Sequence, residues 1–413
     1  MVPQSRRWVI VGMCSLLFFL SMFYRVSNAV ISPRLIDEFG LSPEELGLLT
    51  AAFFYAFAVF QIPIGLLLDR FGARITMTVF STVGGVGAIA FARSAGINGL
   101  IVGRALLGAG MACNLMGSLK LFTEWFRPHE FATISGFILA IGTMGTMMAT
   151  SPLVLMMDRI GWRGSFFAVA IITIFLSLCF FILVRDRPQE LESSLNPSKI
   201  TDVQGSLSAS IKTVFLDSNY WAISASSFLR YGTFVAVQGL WAGPFLVTIL
   251  HISPLTTGNL LLILNIGFLV GSPISGFLSD RTLRSRKKAV IIGLILLGMA
   301  LLGMAFYRHD NLIWLGLIFF VMGFGSAFGL VMYAHIKELM PPHMSGTAMT
   351  GINFFTMMGA AFFLHGFGKI LDLRIFAALS PSAGYGIAFF MCFVGIIIGV
   401  GLYSRTKDAV VQE

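Results

Sequence analysis

Basic side chains lie inside two long apolar stretches of this sequence. Arg25 is embedded in FLSMFYRVSNAVIS, and Arg230 is embedded in ASSFLRYGTFVAVQGLW. A planar guanidinium can hold a carboxylate or a phosphate through two parallel hydrogen bonds. Because a charge at membrane depth is costly and by default functional, we expect these two arginines to bind an anion together. The alternative is that one of them snorkels to the surface or makes a structural pair.

Three other basic or titratable side chains lie in the apolar stretches, Lys120 and His335 among them near the ends. Lys120 either attracts an anion or pairs with Glu124, one helical turn later. His335 either titrates near neutral pH or hydrogen-bonds to Tyr333 or to a backbone carbonyl. His365 is a lone histidine among phenylalanines and glycines, where it either packs or relays a proton.

Carboxylates are missing from the middle of the apolar stretches. Those nearest to these stretches fall at their ends or in loops, namely Asp69, Glu124, Asp158, Asp280 and Glu338. Basic groups without a central acid argue against an exporter of cationic drugs. They favour an anionic substrate that moves by exchange, by proton symport through a histidine, or by uniport.

The composition is that of a membrane protein. Of 413 residues, 56% are hydrophobic and only 11% are charged, whereas a soluble domain carries about 25% charged residues. The net charge of +9 fits basic cytoplasmic loops better than nucleic-acid binding. The four cysteines form no CxxC pair, so we predict neither a zinc site nor disulfides. No phosphate-binding loop or catalytic constellation is present, so we expect neither an enzyme nor a cofactor.

Apolar stretches of about 20 residues predict an all-α membrane protein with twelve spans. The predicted spans are 8–31, 45–68, 75–93, 98–125, 131–157, 163–184, 219–249, 256–278, 288–307, 312–338, 347–371 and 383–404. They give a first domain of 1–184, a cytoplasmic linker of 185–218 and a second domain of 219–413. The end of the linker, SASIKTVFLDSNYW, is amphipathic and suits the membrane surface. The loops richer in Lys and Arg place both termini in the cytoplasm of a cell with an inner membrane.

The two halves share an internal repeat. Ser42 and Asp69 recur as Ser253 and Asp280 at an offset of 211 residues. Gly108, Gly110, Lys120 and Gly136 recur as Gly323, Gly325, His335 and Gly351 at an offset of 215 residues. Such a register predicts two six-helix bundles related by an axis along the membrane normal, with the substrate site between them.

Motifs in both halves resemble the major facilitator superfamily. GLLLDRFGAR, with Gly65, Asp69, Arg70, Gly72 and Arg74, resembles that family's loop between spans two and three. GFLSDRTLRSRKK, with Gly276, Asp280 and Arg281, is a degraded second copy, and GRALLGAG resembles the span-four motif. The resemblance implies twelve helices, alternating access and cytoplasmic termini. It implies a structural or proton-coupling role for Arg104, and the arginine pair resembles that of the organophosphate:phosphate antiporter branch.

The repeated loops predict a conformational latch. Gly65 and Gly72 would allow close backbone approach. Asp69 would cap the next helix or pair with an arginine, and this contact would break and reform during transport. An ordinary solvated loop is the alternative.

Further polar and aromatic side chains are candidates for the substrate cavity. They are Tyr24, Asn28, Tyr55, Gln61, Asn114, Ser118, Tyr231, Gln238, Trp241, Asn265 and Asn353. Each of them could instead join helices to one another.

The leading hypothesis is a monomeric secondary transporter of a small organic anion, either a carboxylate or a phosphate ester. Protons remain an open choice for the coupling partner. An exporter of a neutral or amphipathic compound, such as a drug or a siderophore, is the alternative within transport. A transport-derived receptor or membrane chaperone is the alternative outside it.

Overall fold

The computed structural model describes residues 4–187, 215–307, 309, 311–340, 345–373 and 381–408. Most of the predicted linker, including the first part of its amphipathic end, lies outside this set. Eleven helices in the described part are long and apolar enough to cross a membrane, and Thr133–Met148 is a shorter apolar helix. Together they account for the twelve predicted spans of an all-α fold.

Helices of the first half follow one another with short connections. They are Gln4–Val26, Asn28–Phe39, Pro43–Arg93, Ile97–Met111, Asn114–Trp125, Pro128–Met148 and Ser151–Leu183. Two of these runs hold a sharp turn at a glycine with positive φ. Gly72 has φ 78° and ψ 166°, and Gly161 has φ 72° and ψ 167°. Side chains rarely tolerate this conformation, so these glycines separate span two from three and span five from six.

Helices of the second half include three short π-helical segments. The helices are Ser218–Ala236, Ala242–Pro244, Pro254–Phe277, Arg286–Phe306, Leu312–Ala327, Leu330–Leu339, Ser345–Asp372 and Pro381–Tyr403. The π-helical segments are Val237–Trp241, Phe245–Ile249 and Leu278–Thr282. Two of them lie in span seven, which carries Arg230, and the third ends span eight.

Several spans that the sequence predicts as continuous are interrupted. Span one breaks between Val26 and Asn28, and span four breaks between Met111 and Asn114. Span ten breaks between Ala327 and Leu330. The predicted fifth span, 131–157, also stops at Met148 and restarts at Ser151, where the following Pro152 lacks the N–H that a continuous helix needs.

The chain divides into two compact units. One comprises Met1–Leu41 and Ala52–Lys199, and the other comprises Ser42–Ala51 and Ile200–Glu413. The first turns of span two therefore belong to the second unit, which differs from the predicted division of the chain into consecutive halves.

The same glycine contact builds each unit. In the first, a side chain on Gly108 would collide with the carbonyl of Phe53. In the second, a side chain on Gly323 would collide with the carbonyl of Leu264. Phe53 and Leu264 are separated by the first repeat offset, and Gly108 and Gly323 by the second. Span four therefore packs against span two in the same way as span ten packs against span eight. Small residues allow such close helix packing in a membrane.

Three other glycines of the repeated motifs, including Gly65, have no close contact. A Cβ on Gly65, Gly136 or Gly276 would have no atom within 4 Å. Close backbone approach is therefore the wrong explanation for Gly65, which is exposed in a regular helix.

Glu38 ties three parts of the first unit together. The Trp162 indole donates to its Oε2 at 2.6 Å, and Arg163 donates to its Oε1 at 2.5 Å. Arg163 also donates to the carbonyls of Ala92 and Ser94, each at 2.8 Å. Burial by itself raises the pKa of Glu38, but the hydrogen bonds from Trp162 and Arg163 outweigh it and hold this pKa below its usual value.

Replacing Gly72 by alanine is expected to lower the free energy of unfolding by about 1–3 kcal/mol, because the backbone there is strained for any side chain. The new Cβ would also lie 2.6 Å from the Asp186 carboxylate. Gly65→Ala is the matched control in the same motif, and we expect it to leave stability nearly unchanged. Thermal unfolding of the purified variants measures the difference, and equal melting temperatures would contradict the prediction.

Candidate functional site

Arg25 lies in the last turn of the first helix and is almost fully buried, with 8% of its surface exposed. Its guanidinium carbon lies 4.9 Å from the centroid of the Phe57 ring. A cation above an aromatic face is stabilised by the ring quadrupole, which offsets part of the desolvation cost. The ring thus supports a charge at the point where span one breaks.

Arg230 is also buried, with 5% of its surface exposed, and it points at the break in span ten. Its Nη1 donates to the Ser326 carbonyl at 2.7 Å and to the Ser326 hydroxyl at 3.3 Å. Gly329 lies within the break, and a side chain there would collide with the guanidinium. The break therefore gives Arg230 both a hydrogen-bond acceptor and the space to reach it.

Arg104 is the most deeply buried of the three arginines. None of its surface is exposed, and its Nη1 donates to the Tyr24 carbonyl at 2.9 Å. The guanidinium carbon lies 5.1 Å from the Phe53 ring centroid. Among the described residues, neither its Nε nor its Nη2 has a hydrogen-bond partner. This geometry agrees with a structural role in joining spans one and four, and the predicted coupling role remains a prediction.

Polar candidates of the first unit mostly join helices. The Tyr24 hydroxyl lies 3.0 Å from that of Thr173, and Asn114 accepts a hydrogen bond from Ser81 at 3.0 Å. Gln61 donates to the Ala112 carbonyl at 3.1 Å. Ser118 donates to the Asn114 carbonyl within its own helix. Asn28 is fully buried and Tyr55 is half-buried. For Tyr24 and Asn114, the structure favours the packing alternative over substrate contact.

Several polar candidates of the second unit also join helices to one another. Gln238 donates to Asn265 at 2.8 Å, which links spans seven and eight. Trp241 is buried and donates to the Leu364 carbonyl at 3.0 Å. These three side chains therefore stabilise helix contacts.

Three half-buried polar side chains in the second unit are compatible with the predicted substrate cavity. Tyr333 donates to Asn353 at 3.2 Å, and Tyr231 lies beside Arg230, with its ring centroid 5.5 Å from the guanidinium carbon. Tyr231, Tyr333 and Asn353 are all only partly buried. Tyr333 was predicted only as a possible partner of His335 and not as a cavity candidate.

The predicted partner of Lys120 is wrong. Its Nζ lies 2.5 Å from Asp69 Oδ1 and donates to the Leu68 carbonyl at 2.8 Å. Glu124 pairs with Arg187 instead, at 3.2 Å. The spacing rule that suggested Glu124 compares residues of one helix only, whereas the end of span two lies beside Lys120.

The predicted cap of span three is wrong as well. Asp186 performs this role, because its carboxylate accepts the Arg74 N–H at 2.9 Å. The Arg74 side chain donates to the Phe181 carbonyl at 2.7 Å. Arg70 is exposed, and its guanidinium carbon lies 5.3 Å from the Phe71 ring centroid. Sequence patterns placed Asp186 in a linker, and only its position directly after span six could have indicated the contact.

The second unit repeats this arrangement with different partners. Asp280 pairs with Arg286, which also binds Glu338 at 2.8 Å. Asp408 follows span twelve as Asp186 follows span six, and it accepts the Lys287 N–H at 3.1 Å. Each unit therefore caps its third helix with a carboxylate that follows its sixth. Arg281 is exposed and takes no part in these pairs.

His335 is completely buried and has two partners. Its Nδ1 lies 2.6 Å from the Tyr403 hydroxyl, and its Nε2 lies 2.9 Å from the Lys407 carbonyl. A neutral ring satisfies both if Nε2 donates and Nδ1 accepts. The carbonyl alternative is therefore right, and Tyr333 is the wrong partner. The ring connects span ten to the end of span twelve, so a direct role in binding substrate is not supported.

His365 lies beside an acidic side chain that sequence analysis did not pair with it. Its Nε2 is 3.7 Å from Glu44 Oε1, and Lys369 Nζ is 3.5 Å from the same oxygen. All three residues belong to the second unit.

These features define a helical, multi-pass membrane protein that is built from two repeated units and whose buried charges, in the described part of the chain, are basic. The chain belongs to the Major Facilitator Superfamily, whose family model matches residues 13–364 and 223–412. The resemblance drawn from the loop motifs is thereby confirmed.

Curated relatives match nearly the whole chain or about half of it. A D-galactonate transporter of Escherichia coli O6:H1 is 25% identical over 97% of this chain and 95% of its own length. A probable hexose phosphate transport protein of Chlamydia muridarum is 24% identical over 94% of this chain and 91% of its own length. A hexuronate transporter of Escherichia coli K12 is 27% identical over 56% of each chain.

Solved structures share the fold. An inward-facing bacterial homologue of the human lysosomal transporter Spinster has a TM-score of 0.79 at 16% identity, over 97% of each chain. A D-xylose-proton symporter has a TM-score of 0.77 at 16% identity, over 98% of this chain and 99% of its own.

Replacing His335 by leucine is expected to cost about 1–3 kcal/mol of stability, because the buried Tyr403 hydroxyl loses its partner. Lys337→Leu is the matched control, since Lys337 is exposed on the same helix. Thermal unfolding of the purified variants distinguishes the two. An unchanged melting temperature for the His335 variant would contradict the structural role.

Proposed function

We propose that this chain is a secondary transporter that moves a small organic anion, a carboxylate or a phosphate ester, by alternating access. One observation carries the proposal. Among the described residues, the buried charged side chains are Arg25, Arg104 and Arg230, and no aspartate or glutamate is buried. Buried cations without buried carboxylates favour an anionic ligand.

The energetic argument follows from the cost of burying charge. Removing a guanidinium from water costs several kcal/mol, and an aromatic ring or a carbonyl offsets only part of that cost. A carboxylate or phosphate that enters the site brings a negative charge to these guanidinium groups. Its own desolvation cost is offset by charge-assisted hydrogen bonds.

Named relatives support the same class of substrate. Galactonate, hexuronate and hexose phosphate, named for three of them, all carry a carboxylate or a phosphate. They are also rich in hydroxyl groups, which suit hydrogen-bonding side chains such as Tyr231, Tyr333 and Asn353. We therefore propose a polyhydroxylated carboxylate or a sugar phosphate ester as the substrate class.

The arginines, the half-buried polar side chains and two ion pairs have separate roles in this proposal. Arg25 and Arg230 bind the anionic group, and the half-buried polar side chains of the second unit orient the hydroxyls. The Lys120–Asp69 and Arg286–Asp280 pairs act as latches that break and reform during the transport cycle. The protein works as a monomer in the inner membrane, with both termini in the cytoplasm. It moves its substrate without changing any covalent bond.

Neutralising either arginine is expected to reduce uptake of the anion by about 10- to 100-fold, which corresponds to one lost hydrogen bond to a charged group. The measurement is uptake of D-galactonate and of glucose 6-phosphate into proteoliposomes that contain Arg25→Gln or Arg230→Gln. Arg230→Lys keeps the charge but loses the forked geometry, so we expect it to remain impaired.

Arg93→Gln is the matched control for these variants. Arg93 is exposed, with its guanidinium carbon 5.5 Å from the Phe167 ring centroid, so its loss should leave uptake unchanged. Full activity of both Arg25→Gln and Arg230→Gln would disprove the anion clamp. Thermal stabilisation of the purified protein by hydrophobic compounds alone would favour the exporter hypothesis.

A further inference from the structure

The start of span two packs tightly against the end of span eleven within the second unit. A Cβ on Gly47 would lie 2.7 Å from the Leu364 carbonyl and 3.3 Å from Trp241. A side chain on Gly368 would collide with the Pro43 carbonyl. We call this contact between residues 43–47 and 364–372 the two–eleven seam. The backbones of the two helices are in contact at this seam. Any further separation of the helices would therefore loosen the contact.

Charged groups surround one carboxylate at this seam. Glu44 Oε1 lies 3.7 Å from His365 Nε2 and 3.5 Å from Lys369 Nζ. Asp372 accepts the Glu44 backbone N–H at 2.7 Å. The neighbouring Glu45 is turned toward the helix start, where its carboxylate accepts the Ser42 N–H at 2.9 Å. His365, Lys369, Asp372 and Glu45 are thus the titratable groups around Glu44 in the described part of the chain.

His365 is incompletely satisfied in this arrangement. Its Nε2 is buried and has no hydrogen-bond partner among the described residues. The 3.7 Å to Glu44 is too long for a hydrogen bond. A protonated ring would have donors on both nitrogens, and a charge-assisted bond to a carboxylate is typically about 2.7–2.9 Å long. A shift of about 1 Å would therefore convert this contact into a strong one.

We propose that His365 and Glu44 form a proton-responsive site that tightens the two–eleven seam when His365 is protonated. The proton comes from the solvent and binds the unprotonated ring nitrogen, and no other bond forms or breaks. Imidazole is the side chain that ordinarily changes charge between pH 5 and 8.

This site adds a regulatory feature to the proposed transport function. Its effect on transport rests on that proposed function. The seam lies at the span ends that the charge pattern assigns to the outer side. A higher proton concentration there would favour the closed seam, so the rate of anion transport becomes dependent on external pH. His365 is then a positioning residue, because it acts on the helix contact without touching the substrate.

Lys369 provides an internal comparison. Its ammonium group lies near the same carboxylate oxygen as His365, but its side chain is 56% exposed. A lysine ordinarily keeps its charge throughout pH 5–8. Lys369→Gln therefore weakens the seam equally at every pH in this range, whereas His365→Gln removes the pH dependence.

Hydrogen exchange of the full-length protein, without substrate, tests the proposal directly. After correction for the intrinsic pH dependence of exchange, we expect the amides of residues 46–51 to be about two- to fivefold better protected at pH 6 than at pH 8, the range for a partly exposed ion pair. His365→Gln and Glu44→Gln should lose this difference, and Lys369→Gln should keep it. Equal protection at both pH values in the unmodified protein, or a difference retained in His365→Gln, would overturn the proposal.

Transport assays separate this proposal from the proposed function. If the protein takes up no anion but its exchange shows the pH dependence, the substrate class is wrong and the proton-responsive site stands. If anion uptake is normal and exchange at residues 46–51 does not respond to pH, only the proton-responsive site is wrong. When both hold, His365→Gln should flatten the pH profile of uptake between pH 6 and 8.

Discussion

A backbone carbonyl released by a helix break inside a membrane must find a donor within the protein, because lipid offers none. Spans one, four and ten all break, and buried side chains donate to carbonyls at these breaks. The pairs are Arg104 to Tyr24, Ser21 to Met111, Gln61 to Ala112 and Arg230 to Ser326. The positions of many buried polar residues thus follow from where the helices are interrupted.

This constraint gives two of the buried arginines a structural task without removing a functional one. Arg230 uses Nη1 for the Ser326 carbonyl, yet a guanidinium carries five N–H donors. The carbonyl fixes the direction of the planar group and so reduces the entropy that an anion must overcome to bind it. The structural alternative and the anion clamp are therefore compatible for Arg230. For Arg25, the Phe57 ring plays the corresponding supporting part.

The sequence predicts those features that depend on local composition or on repeated spacing. Apolar stretches indicated the spans, and the offsets of the glycines anticipated that Gly108 and Gly323 make the same contact in each unit. Partners across helices were not predictable in this way. The rule for neighbouring turns gave Lys120 the wrong partner, since the nearest carboxylate belongs to another span. The helix breaks were also missed, because hydropathy is the same on both sides of a break.

The distribution of acids has a consequence for how such a protein could couple to protons. Among the described residues no carboxylate is buried, so a proton carrier deep in the membrane would have to be a histidine or a tyrosine. His335 has both ring nitrogens engaged with protein partners, so a further proton on Nδ1 would reverse the hydrogen bond to the Tyr403 hydroxyl and add no new one. His365 has a buried nitrogen without a partner and a carboxylate close by. Proton binding at His365 would add a hydrogen bond, which makes the span end the more favourable place for a proton to act.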